Sequence, residues 1–119
     1  MPHQPHPDVT SSDVERIVRR DFPSGQFDTA MAVLKQYGIE KWHRECARVQ
    51  LAALKLSNGD LRKLQTAIDV AKRDYRDVLA PAEYPEYSKR GFRTRELPVE
   101  ERERIIGGDW EQYESWLRK

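Results

Sequence analysis

The stretch "VQLAALKLSNGDLRKLQTAIDVA", residues 49–71, decides the fold of this chain. On both sides of "SNGD" the apolar residues recur at steps of three and four, a spacing that is typical of one apolar face of an α-helix. "NG" predicts a helix end, and Asp60 predicts the start of the next helix. Because so short a turn brings two helices back against each other, we predict an antiparallel helical hairpin over about residues 40–57 and 60–79. The hairpin residues expected to be mostly buried are Trp42, Val49, Leu56, Leu61, Ile68 and Tyr75.

Helical patterns also flank the hairpin. "SSDVERIVRRDF" predicts a first helix with Ser12 as its capping residue, and "FDTAMAVLKQYG" predicts a second helix that ends at Gly38. Residues 80–98 contain prolines, a glycine and no sustained period, so they predict an irregular strap. "GG" at residues 107–108 predicts a break between two short C-terminal helices, the second of them capped by Asp109. The expected fold class is therefore all-α, a small helical bundle built on the central hairpin.

A chain of 119 residues is expected to form one domain. The first ten residues hold three of the seven prolines and show no apolar period, so we expect a flexible tail over residues 1–10 and a single helical domain over residues 11–119. Lys and Arg number 21 and Asp and Glu number 20, and the net charge of +1 gives no bulk attraction to nucleic acid or anionic lipid.

The compartment is inferred from three absences in the sequence. The single cysteine excludes an intramolecular disulfide. The N-terminus lacks the basic and apolar regions of a secretory signal, and no apolar run approaches the roughly 18 residues of a membrane span. We therefore expect a cytoplasmic protein with no membrane partner.

Two stretches, "LKLSNGDLRKL" (residues 54–64) and "AKRDYRDVLAPAEYPEY" (residues 71–87), are similar to sequences of a family of small uncharacterised bacterial proteins. The resemblance extends from about Tyr37 to Tyr87. It implies a bacterial cytoplasmic origin, and it carries no activity, cofactor or catalytic residue over to this chain.

Glu40, His43 and Cys46 are spaced by threes in "EKWHREC" and would lie along one helix face. A di-iron site of the four-helix type needs a second Glu-x-x-His pair, which the chain lacks. Zinc would need the tail histidines His3 and His6 as well, and flexible ligands suit a structural zinc site poorly. We predict no metal and no cofactor, with His43 and Cys46 as the residual candidates for metal ligands. Because Cys46 is expected to be a small core residue in mid-helix, we also assign no catalytic residue.

"KRGFRTR", residues 89–95, supplies cations for phosphates and an aromatic ring for base stacking. The alternative is a solvated strap whose arginines pair with the acidic C-terminal helices, and the flanking glutamates favour it. The candidates for binding nucleic acid or another anion are Lys89, Arg90, Phe92, Arg93 and Arg95.

"DWEQYESWLRK" places Trp110, Tyr113 and Trp116 on one broad helix face. This face either closes the core or binds a partner, which could be another protein or a second copy of the chain. We expect Trp110 and Tyr113 to hold the helix to the core and Trp116, near the C-terminus, to be the partly exposed contact.

No motif with a specific chemical spacing occurs in the chain. The function expected from the sequence is therefore a non-catalytic interaction or regulatory module that acts through protein–protein contacts. The alternative is a nucleic-acid-associated protein that uses the basic strap from Lys89 to Arg95.

Overall fold

The structure of the protein is a computed structural model that describes residues 7–90 and 96–119. Within these residues it contains helices and no strand, so the all-α class expected from the sequence is confirmed. A 3-10 helix (Ser24–Gln26) precedes α2. The α-helices, in chain order, are α1 (Ser11–Asp21), α2 (Phe27–Lys35), α3 (Cys46–Ser57), α4 (Leu61–Arg73), α5 (Arg76–Glu83), α6 (Pro85–Arg90) and α7 (Val99–Arg118).

The hairpin of α3 and α4 forms the centre of the bundle. Residues 51–54 of α3 are all buried, which is the pattern of a helix enclosed by others, and α1, α4 and α5 pack against it. Asn58 ends α3 in a left-handed conformation, with φ of 50°. The carboxylate of Asp60 accepts the backbone N–H groups of Arg62 (2.8 Å) and Lys63 (3.2 Å), which lowers the pKa of Asp60. The helix stop and the helix start predicted from "NGD" are both present.

Both helices of the hairpin are shorter than the sequence predicted, α3 at its N-terminal end and α4 at its C-terminal end. α3 begins at Cys46 rather than near residue 40, because residues 38–45 form a loop. α4 ends at Arg73 because Asp74 has an extended backbone (φ −155°, ψ 107°) and its carboxylate accepts the N–H of Arg76 (3.1 Å). This bond caps α5 and competes with the continuation of α4. Of the residues expected to be buried, Val49 and Ile68 are fully buried, Leu56, Leu61 and Tyr75 are half-buried, and Trp42 is exposed.

The strap predicted to be irregular is helical over most of residues 80–90, so that expectation was wrong there. α5 continues through Pro81, and α6 begins at Pro85, where the missing N–H of proline costs no helical hydrogen bond. Residues 91–95 of the predicted strap lie outside the described residues.

Asp109, a residue of α7, caps α6 at its junction with α5. Its buried carboxylate accepts the backbone N–H groups of Glu86 (3.1 Å) and Tyr87 (2.9 Å), which are among the first free donors of α6. Gln112, one turn further along α7, donates to the carbonyl oxygen of Ala82 (3.3 Å) near the end of α5. A cap supplied from more than twenty residues away leaves no local sequence pattern, which is why the sequence did not predict α6.

α7 is one helix of 20 residues, so the break predicted at Gly107 and Gly108 was wrong. The expected helix cap, Asp109, lies inside α7 and bonds to α6 instead. A Cβ added at either glycine would meet nothing within 4 Å. The glycine pair therefore serves no packing contact within the described part of the chain.

At the N-terminus, α1 begins after Thr10 rather than at Ser12. The N–H of Thr10 donates to the carboxylate of Asp13 (3.0 Å), which places the cap two residues earlier than predicted. Pro7 is buried and Val9 packs against the core. Residues 1–6 lie outside the described residues, and the flexible tail stays a prediction for them.

Candidate functional site

Of the C-terminal aromatic residues, Tyr113 belongs to the core and Trp116 packs against it, whereas Trp110, expected to hold the helix to the core, is not among the residues packed there. Tyr113 is 0% exposed and belongs to the core, and its ring centroid lies 5.6 Å from that of Trp116. Trp110 and Trp116 are half-buried. Leu117, also buried, completes the contact. Most of this face therefore closes the core.

α1 holds the last turn of α7. Arg16 donates to the carbonyl oxygen of Leu117 (2.8 Å), and Arg20 donates to that of Trp116 (2.6 Å). The Arg20 guanidinium also lies 5.2 Å from the centroid of the Trp116 ring. These contacts satisfy carbonyl groups that a helix end leaves unpaired, and they occupy part of Trp116. A partner contact at Trp116 stays a prediction.

The basic strap is described only in part. Lys89 and Arg90 are exposed at the end of α6, and the Lys89 ammonium lies 3.4 Å from the Glu86 carboxylate. Phe92, Arg93 and Arg95 lie outside the described residues. Nucleic-acid binding by this segment therefore stays a prediction.

The most exposed large apolar side chains lie in the loop between α2 and α3. We call residues 38–45 the Trp42 loop. Ile39 is 73% exposed and Trp42 is 54% exposed, and Val99 is the one other exposed large apolar residue within residues 7–90 and 96–119. Tryptophan is the residue type most enriched where binding energy concentrates in protein interfaces. The exposure of Trp42 beside Ile39 therefore marks this loop as the candidate site.

Tyr37, the residue before the loop, fixes the far end of the loop. Its ring is fully buried. Its hydroxyl group donates to the carbonyl oxygen of Arg44 (2.8 Å) and accepts the backbone N–H of the same residue (3.1 Å). Burial raises the pKa of Tyr37, so the hydroxyl keeps its proton for the bond to Arg44. Both polar backbone groups of Arg44 are therefore bound to the protein core.

His43 fixes the middle of the loop. Its Nδ1 accepts the backbone N–H groups of Gly38 (2.8 Å) and Glu40 (3.3 Å). The imidazole stacks on Tyr37, with ring centroids 4.4 Å apart and planes at 17°, and Trp42 meets it edge-on at 4.2 Å and 77°. Trp42 thus rests against a ring that is itself bound to the core, and its exposed surface is held in a defined position.

Two residues with positive φ terminate the loop. Gly38 has φ of 125°, a conformation that glycine adopts readily and other residues rarely do. Glu45 has φ of 50° and ψ of 49°, and its carboxylate binds Arg48 at 2.9 Å. Arg48 in turn forms a buried double hydrogen bond with Glu83 of α5, at 2.8 and 2.6 Å. Glu45, the residue in the left-handed conformation, is therefore bound to the Arg48–Glu83 ion pair.

The Arg48–Glu83 pair also forms one wall of a cleft of about 460 Å³ between α3, α5 and α6. Tyr84 lines the same cleft, and burial together with the nearby Glu83 carboxylate raises the pKa of Tyr84 to about 12. Nε and Nη2 of Arg48 each bind one carboxylate oxygen of Glu83, so the pair links α3 to α5.

Cys46 is the first residue of α3 and is half-buried, so the expected mid-helix core position was wrong. Its sulfur would lie 3.4 Å from a Cβ added at Gly38. Nδ1 of His43 is engaged by backbone donors. In the part of the chain that the structure describes, no three His, Cys, Asp or Glu side chains form a group that could hold a metal ion.

The charged side chains of the Trp42 loop are largely unpaired. Lys41, Arg44 and Glu40 form no ion pair within the described residues, whereas Glu45 binds Arg48. The unpaired charges of the loop sum to one positive charge beside Trp42 and Ile39. An acidic surface would complement them.

The chain matches no protein-family model, no curated protein and no solved structure. The resemblance to small bacterial proteins over residues 37–87 stays a prediction. No helix in the described residues combines the length and the apolar character of a membrane span.

The Trp42 loop was not predicted, because the apolar spacing of α3 continues through "EKWHREC". The available signal was Gly38 together with the absence of a capping residue before residue 40. Helices begin most often after Ser, Thr, Asp or Asn. The sequence has Ile39 at that position.

Proposed function

We propose that this protein is a non-catalytic interaction module that binds a protein partner through the Trp42 loop. The partner would receive Trp42 and Ile39 in an apolar pocket, and acidic residues at the rim of that pocket would face Lys41 and Arg44. The observation that carries the proposal is the exposure of Trp42, 54%, on a loop that His43 and Tyr37 bind to the core.

The energetics of association support a preorganised loop. Ordering flexible side chains and loops upon binding costs free energy, and a loop that is already ordered avoids much of this cost. Hydrogen bonds to His43 Nδ1 and to the Tyr37 hydroxyl group order this loop before any partner arrives. The energy gained by burying the indole of Trp42 would therefore contribute mostly to affinity.

The proposal of a non-catalytic role is supported by the roles of the buried carboxylates. Glu83 binds Arg48 through both oxygens, and Asp109 binds two backbone N–H groups of α6. Both groups have structural partners that fix their position. A cytoplasmic and bacterial location belongs to the same proposal, supported by the single cysteine and by the resemblance over residues 37–87.

Affinity capture followed by mass spectrometry tests the proposal, with Trp42→Ala as the variant and Val99→Ala as the matched control. Both residues are exposed and apolar, so neither substitution should shift the free energy of unfolding by more than about 1 kcal/mol. We expect a partner that is captured by the wild type and by Val99→Ala and is lost with Trp42→Ala. Equal capture by all three proteins would contradict the proposal.

A further inference from the structure

The hydrogen bonds of His43 fit one protonation state of its imidazole ring. A ring nitrogen that accepts hydrogen bonds carries no proton. Nδ1 accepts the N–H groups of Gly38 and Glu40, so the proton of the neutral ring is on Nε2. Nε2 is buried and has no hydrogen-bond partner among the described residues. The loop geometry therefore fits neutral imidazole.

The contacts of the His43 ring within the described residues are with aromatic rings and backbone N–H groups. Tyr37, which lies between α2 and the loop, stacks its ring on the imidazole, and the Cys46 sulfur of α3 lies close to Gly38. No carboxylate in the described part of the chain forms an ion pair with the His43 ring. The titratable and charged groups next to the ring are Tyr37, which stacks on it, the loop residues Glu40, Lys41, Arg44 and Glu45, and Cys46 at the start of α3.

We propose that protonation of His43 opens the Trp42 loop, so that the loop presents Trp42 and Ile39 to a partner only while His43 is neutral. This inference rests on the function proposed for the loop and adds its regulation by pH. A proton on Nδ1 would face two N–H donors, and both hydrogen bonds to the ring would be lost. Trp42 leans on the same ring and would lose its support.

The direction in which pH shifts the equilibrium between closed and open loop follows from the hydrogen bonds that Nδ1 of His43 accepts. A protonated Nδ1 cannot accept the two N–H groups that hold the loop closed, so we expect a lower pH to favour the open loop. Histidine side chains ordinarily change charge between about pH 5 and pH 8. The bonds through Tyr37 persist across this interval, because burial raises the pKa of that phenol from a value that is already alkaline.

The test is amide hydrogen exchange of Gly38 and Glu40 by NMR at pH 8 and pH 5, expressed as protection relative to an unstructured chain. We expect protection of both amides to fall roughly tenfold to thirtyfold at pH 5, the change that accompanies loss of one or two hydrogen bonds. The amides of Leu54 and Ile68, which lie inside α3 and α4, should keep their protection. The nitrogen chemical shifts of the imidazole report in the same samples whether Nδ1 has gained a proton.

Two substitutions separate the ring from its acceptor nitrogen. His43→Asn offers an oxygen near the position of Nδ1 and does not titrate, so its loop should stay protected at both pH values. His43→Phe keeps the aromatic stack without an acceptor, so its loop should be open at both. Both variants are made in a background without His3 and His6, the other histidines of the chain.

Equal protection of wild-type Gly38 at pH 8 and pH 5 would overturn the pH gate, as would the same pH-dependent loss in His43→Asn. Because exchange is measured without a partner, either result would leave the proposed binding function standing. Conversely, capture that is unaffected by Trp42→Ala would refute the function while the titration of the loop could still be observed.

Discussion

At the residue scale, the exposed tryptophan of this chain is Trp42, and its position depends on residues that do not touch a partner. Tyr37 binds the backbone of Arg44, and His43 supports the indole ring. Gly38 permits the turn that brings the two together. The residue types are visible in the sequence, but their convergence depends on backbone angles that a pattern of apolar residues does not encode.

Replacing Gly38 by alanine should destabilise the protein by about 1–3 kcal/mol, the usual cost of forcing a residue with a side chain into a backbone region that favours glycine. Its φ is 125°, and the new Cβ would also contact the Cys46 sulfur at 3.4 Å. Gly25→Ala is the matched control, because a Cβ there meets nothing within 4 Å. Urea unfolding measures both variants, and equal stability of the two would argue against the turn described for Gly38.

Tyr113 is a second residue whose side chain has a measurable effect on stability. Its hydroxyl group is buried and has no hydrogen-bond partner among the described residues, and desolvation raises its pKa. Tyr113→Phe should therefore stabilise the protein, by up to about 1–3 kcal/mol at neutral pH, because an unsatisfied polar group is removed.

Above about pH 10 the difference between wild type and Tyr113→Phe should increase. The unfolded phenol ionises there while the folded phenol remains neutral, so the wild type loses stability as pH rises, and the variant lacks that loss. Thermal unfolding at pH 7 and at pH 10.5 measures the effect. A destabilised Tyr113→Phe protein would show that the hydroxyl group has a partner.

At the scale of the elements, the sequence predicted those helices whose signals are local. α3 and α4 were predicted by apolar spacing and by the "NGD" turn, which the structure confirms. α6 was not predicted, because its cap is Asp109 of α7. Long-range caps of this kind form only once the tertiary structure brings the two segments together. The continuity of α7 was not predicted either, because "GG" at residues 107–108 is a local signal for a helix break.

Asp109→Ala should cost about 2 kcal/mol of stability, since two backbone N–H groups of α6 lose their acceptor. Asp109→Asn keeps one acceptor oxygen and should cost less. Hydrogen exchange should show that the amides of Glu86 and Tyr87 are the most affected. A uniform loss across α3 and α4, with α6 no more affected than the rest, would count against the capping role.

Gly107→Ala and Gly108→Ala should each stabilise the protein by up to about 1 kcal/mol, because both glycines lie inside α7 and alanine has the higher helix propensity. Their Cβ positions are open, so no contact offsets the gain. Thermal unfolding of the single and double variants provides the measurement. Destabilisation by either substitution would indicate that α7 bends at these residues, as the sequence alone suggested.

At the scale of the whole molecule, the all-α class and the central hairpin could be predicted, and the candidate site could not. Amphipathic spacing specifies which residues face a core, and the bundle follows from it. Because the same spacing extends through "EKWHREC", Trp42 was predicted to be buried in the core. Trp116 was predicted to be partly exposed because it lies near the C-terminus. The structure shows Trp42 as the more exposed of the two, because α1 arginines cover the end of α7.

Site-specific photo-crosslinking most directly tests whether the Trp42 loop is the binding surface. A photoreactive tryptophan analogue that keeps the indole ring is placed at position 42 in one protein and at position 116 in another, and both are irradiated in an extract of the source cell at pH 8. We expect a covalent adduct with a partner protein from position 42, and only intramolecular products with α1 from position 116. An adduct formed from position 116 and not from position 42 would contradict this account.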